Sequence, residues 1–73
     1  MNIWQQRCEI ILNQLSPTPS QARFVSSVLS FILRTGCPPT RQQQAVLSNI
    51  WKHCIRVYAE EKQMELVEAE ELV

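Results

Sequence analysis

Apolar residues recur at helical spacing in three runs, separated by two proline-containing breaks at Ser16-Pro17 and Gly36-Cys37-Pro38-Pro39. The central run, Thr18 to Thr35, is the most apolar. At about 100° per residue, Phe24, Phe31, Val28, Ile32, Val25, Leu29, Ala22 and Leu33 spread over roughly 200° of a helix surface. Arg23, Ser26, Ser27, Ser30 and Arg34 are left as a narrow polar strip. A helix apolar over more than half its circumference needs cover on two sides, so this run is expected to be the central element. Its ends are marked. Thr18 suits an N-cap, Pro19 the first helical position and Gln21 the capping-box position. Gly36 suits the left-handed residue that ends a helix.

The flanking runs are the expected covers. Over residues 2–15, Trp4, Cys8, Ile11, Leu12 and Leu15 fall on one helical face, with Ile3 and Ile10 together off it. Pro17 and Pro19 oppose an α-conformer at Ser16 and Thr18, which breaks the helix there, and so short a link favours an antiparallel hairpin. After the second break, Thr40 and Gln43 repeat the capping pattern, and Val46, Leu47, Ile50, Trp51, Cys54, Val57 and Tyr58 share a face. Beyond Tyr58 that face meets Glu61, Glu65 and Glu68, so the core stripe stops there. The pattern predicts an all-α fold, an antiparallel three-helix bundle with helices at about 2–15, 18–35 and 40–60. Val28, Leu29, Leu47 and Ile50 are its expected centre. Residues 60–73 fit either an acidic helical extension or a disordered tail.

Charge sharpens this division. Residues 1–59 carry six cations and the single anion Glu9, a net +5; residues 60–73 carry Lys62 and six glutamates, a net −5. A mildly basic body therefore ends in an acidic segment. Seventy-three residues allow one domain, 1–59, with a core small enough to gain from association. Cys8, Cys37 and Cys54 are an odd number at unrelated spacings, which predicts reduced thiols and a cytoplasmic setting. No signal-peptide pattern and no membrane-spanning run is expected.

Candidate chemistry is sparse. The chain has no Asp, and Glu9 is the only carboxylate before residue 60, so the body lacks a paired-carboxylate site. His53 is the only histidine. A Cys–His nucleophile would need Cys8 or Cys37 brought to it with an orienting third group, and His53 and Cys54 are adjacent and diverge on a helix, so neither that pair nor a zinc site is expected. With no phosphate loop or dinucleotide fingerprint either, an enzyme is not expected, and no cofactor or metal is called for. Arg41, Lys52 and Arg56 do fall within roughly 60° of one another on the third helix, with Gln44 and Ser48 beside them, nearly opposite the core stripe. This strip is the candidate nucleic-acid contact, through backbone charge. The Thr18–Arg56 layout also admits a helix-turn-helix reading, with Gln42 and Gln44 placed to read bases. Ile3, Ile10 and Ile55, unused by the bundle core, are candidate self-association residues. Met64, Leu66 and Val67 in the acidic segment are candidate partner contacts.

Leu15-Ser16-Pro17, then Phe24-Val25-x-Ser27-Val28-Leu29, then Pro39-Thr40-x-x-Gln43-x-x-x-Leu47-x-x-Ile50-Trp51 resembles a short helical module of bacteriophage-type DNA-metabolism proteins. That module occurs in small helicase-associated phage proteins and as an appendage of larger ones. The resemblance covers about residues 15–58. It departs at Thr18-Pro19-Ser20, where the module often carries charged residues. It implies a phage or prophage origin and a non-catalytic accessory role near nucleic acid. The expected function is thus a non-enzymatic adaptor that binds a protein of DNA metabolism, with DNA as a second partner. The alternatives are a small dimeric DNA-binding regulator and a phage-encoded inhibitor of a host protein.

Overall fold

The computed structural model describes residues 2–73, all-helical with no strand among them. There are four helices: α1 (Ile3–Gln14), α2 (Pro19–Thr35), α3 (Arg41–Lys62) and α4 (Leu66–Leu72). α2 and α3 begin where their caps predict, and α1 begins after a cap at Asn2. Asn2 Oδ1 accepts from the Trp4 N–H at 2.8 Å. Thr18 and Gln21 form a full capping box, with the Gln21 N–H donating to Thr18 Oγ1 at 3.2 Å and the Thr18 N–H to Gln21 Oε1 at 2.9 Å. Thr40 and Gln43 repeat it at the same distances. Each box satisfies two amides that a helix start would leave unpaired. Gly36 ends α2 at φ +71°, donating its N–H to the Ile32 carbonyl at 2.7 Å.

The acidic segment was expected as a helical extension or a disordered tail. Its first residues, Glu60 to Lys62, complete α3; the chain then reverses at Gln63 and folds again as a separate helix, α4. Gln63 has φ +55° without being glycine. Its N–H donates to the Glu60 carbonyl at 3.2 Å, and the Met64 N–H donates to the Ala59 carbonyl at 2.9 Å. This pair of bonds is the Schellman arrangement, and Met64 and Ala59 line one hollow, the apolar contact that usually accompanies it. α4 then rests on α3, with Ala69 fully buried and Met64 and Val73 packed against the core.

The core joins Cys8, Ile11 and Leu15 of the first segment to Val25, Val28 and Ile32 of α2 and to Leu47, Ile50, Cys54, Ile55 and Ala59 of α3. α1 and α2 make the most extensive helix–helix contact, while α2 and α3 touch least. The expectation that α2 is covered on two sides is therefore corrected. Leu33 is 62% exposed, and Phe24, Leu29 and Phe31 are only half-buried. The physical reason lies in α3, which divides its apolar surface. Leu47, Ile50 and Cys54 share one bearing, and Ile55 and Ala59 lie roughly 130° round the helix from it. Ile55, expected at the flank, is 1% exposed and belongs to this second ridge. Arg7 reinforces the α1–α3 contact, its guanidinium 5.7 Å from the Trp4 ring centroid and 5.3 Å from that of Trp51.

Three substitutions test this arrangement of core and turn. Ile11→Ala empties a fully buried site and loses roughly 2–5 kcal/mol, whereas Leu33→Ala stays within about 0.5 kcal/mol of the parent, both read from urea unfolding. Gln63→Gly removes the left-handed strain and gains about 1 kcal/mol, less what glycine adds to unfolded-chain entropy.

Candidate functional site

The third helix carries the candidate strip. Arg41, Ala45, Ser48, Lys52 and Arg56 follow one another at spacings of three or four residues, so they form a single stripe along α3. Arg41, Lys52 and Arg56 are exposed; Ser48 is half-buried. The helical rise puts Lys52 about 16 Å from Arg41 along the axis, and Arg56 about 6 Å further on. No carboxylate occurs between Ile10 and Ala59, so the stripe runs through a stretch with no acidic side chain of its own.

Gln44 lies beside the stripe, but its amide is engaged. Nε2 donates to the Pro39 carbonyl at 2.9 Å, tying the first turn of α3 to the buried proline before it. Gln43 is held in the capping box. Of the three successive glutamines, two are thus held by the turn, and neither side chain projects free toward a ligand.

The stripe ends in two hollows. Toward its N-terminal end, Phe24 of α2 and Thr40, Gln42, Gln43, Ala45 and Val46 line a shallow, open hollow. Val46 was expected in the core but is 42% exposed there. At the C-terminal end, Arg56, Ala59 and Glu60 face Met64, Glu65, Leu66 and Val67. The ridge Ile55–Ala59 lies roughly 40° round the helix from the stripe, so the acidic segment docks beside the C-terminal end of the basic face.

The candidate association residues separate. Met64, Leu66 and Val67 come together around the second hollow, with Leu66 and Val67 exposed and Met64 half-buried. Ile3 is exposed on α1, Ile10 is packed against the core, and Ile55 is inside it. The Phe24–Val46 hollow was not foreseen. Its signal was the width of the α2 apolar arc, which exceeds what a twelve-residue α1 and a shared α3 can cover.

His53 is exposed, and the Gln21 amide nitrogen lies 3.3 Å from its Nδ1. Cys54 Sγ lies 3.9 Å from Gln21 Oε1. Gln21 therefore joins the start of α2 to the middle of α3 while also capping α2. Among the described residues, no three His, Cys, Asp or Glu side chains converge. No described helix is long and apolar enough to cross a membrane. All three cysteines are free. Burial, and secondarily the neighbouring Glu9 carboxylate, push the Cys8 thiol from an ordinary 9.0 up to about 11. Burial also pushes the Cys54 thiol up.

Comparison with family models, with curated proteins and with solved structures finds no match to this chain.

The thiols give a direct check. In the native protein, iodoacetamide is expected to modify exposed Cys37 and to reach Cys8 and Cys54 only on unfolding. The folded state holds Cys8 protonated where the unfolded chain ionises it. Its contribution to stability is therefore complete below pH 9.0 and is lost as pH rises toward about 11, read by urea unfolding across that range.

Proposed function

We propose that this chain is a non-enzymatic accessory module of DNA metabolism that holds a nucleic-acid backbone along the α3 stripe while its apolar surface engages a protein. The stripe is the observation that carries this reading: three exposed cations on one helical face, about 22 Å from first to last, with no carboxylate between them and Glu60 one turn beyond the last. That arrangement suits phosphates, which are recognised by charge and position. The engagement of Gln43 and Gln44 in the turn favours backbone contact over base reading and so weakens the regulator alternative. The resemblance of residues 15–58 to the phage accessory module is what points to DNA metabolism and to a phage or prophage origin. Exposed Leu33, Val46, Leu66 and Val67 support a protein partner, since they distribute apolar surface over both ends of α3 and over α2.

Titration of labelled single-stranded and duplex DNA across a salt series tests the reading. Three phosphate contacts give a log–log slope of about −2.7 on duplex and about −2.1 on single strands. Lys52→Ala, at an exposed position, is expected to leave the melting curve unchanged, weaken all sequences alike and flatten the duplex slope by about 0.9. Absence of binding at low salt overturns the nucleic-acid part of the reading.

A further inference from the structure

The acidic helix and the first hollow are complementary surfaces that one molecule cannot bring together. The hollow has an apolar wall of Phe24, Ala45 and Val46. Arg41 lies between two of its lining residues, Thr40 and Gln42, and one turn from Ala45; Arg23 directly precedes Phe24. Its surroundings are therefore basic, with no acidic residue in the segments that build it. The outer side of α4 is the converse. Val67 stands 68% exposed at the rim of the second hollow, with Glu70 and Glu71 one turn on and Glu68 adjacent. α4 contains no cation.

Within one chain these surfaces sit at opposite ends of α3. From Val46 to Lys62 is about 24 Å of helix, and only Gln63, Met64 and Glu65 link α3 to α4. The inner side of α4 is also already in use, since Ala69 is fully buried against the molecule's own core. The surface that fits the hollow can therefore come only from another molecule.

We infer that the outer side of α4 docks into the Phe24–Val46 hollow of a second copy of this chain, Val67 entering between Phe24 and Val46 and the glutamates facing Arg41. The charge division fits this contact: a body of +5 meets an acidic segment of −5, and a chain of zero formal net charge carries no net repulsion between copies. Such a contact is heterologous, using different surfaces on the two molecules. It shares Arg41 with the proposed phosphate stripe, so association is measured in the absence of nucleic acid and its outcome does not depend on that reading.

The test uses the full chain in sedimentation velocity over a concentration series at low and high salt. Wild type is expected to associate at low salt and less so at high salt. Val46→Glu and Val67→Lys each weaken association roughly tenfold or more, with unchanged melting curves because both positions are exposed. Mixing the two variants restores a pair: Val46→Glu still offers an intact α4, and Val67→Lys still offers an intact hollow. Wild type that remains monomeric, variants that associate like wild type, or a mixture that stays monomeric would each overturn the inference.

Discussion

α3 carries two apolar ridges on different bearings, and the rest of the molecule is arranged by which segment covers which. Leu47, Ile50 and Cys54 form one ridge and Ile55 and Ala59 the other, and α3 packs against α1, α2 and the returning acidic segment, which meets it at Ala59. No single cover can serve both ridges, because a ridge is only a few side chains wide and the two are well separated around the helix. The division has a cost at α2. Its apolar arc is wider than the surface offered to it, so Leu33 stands in solvent and three large side chains remain half-covered. A core of twelve buried residues in a chain this short is what such sharing produces.

The local signals were legible because they act over three or four residues. Thr18 with Gln21, Thr40 with Gln43, and Gly36 all do what their side chains or backbone freedom dictate. The α4 reversal was not legible, because the residue at its left-handed position is Gln63 and the usual glycine is missing. Glutamine at that position looks like one more helix former. The burial of Ile55 was hidden for the same reason: without α4 it lies off the core stripe. Gln44 shows the limit for the candidate site. Helical bearing places it beside the cations correctly, but periodicity says nothing of a hydrogen bond back to Pro39. Arg41, Lys52 and Arg56 were legible as exposed, since helical bearing turns all three away from the Leu47–Ile50–Cys54 stripe.

Polar links then fix how the elements sit. Arg7 lies between Trp4 and Trp51, using the electron-rich faces of two rings where no carboxylate is at hand. Gln21 caps α2 and reaches α3 at His53 and Cys54. Where helices touch sparingly, directional contacts of this kind set orientation more than they add stability.

Ala69 is the only fully buried side chain of α4, and it offers a single methyl group to the interior. Lifting α4 away uncovers Ala69, Val73 and the part of α3 beneath them, a small share of the core, and the hydrogen bonds it breaks are those of one short helix. Such a segment opens at a free energy well below that of the whole molecule, as a separate cooperative unit. Amide protons of α4 will exchange with solvent through this opening while those of Val25, Val28 and Ile32 wait for global unfolding. The carboxyl-terminal helix thus has an equilibrium of its own, and the second ridge of α3 is periodically bared while the fold stays intact.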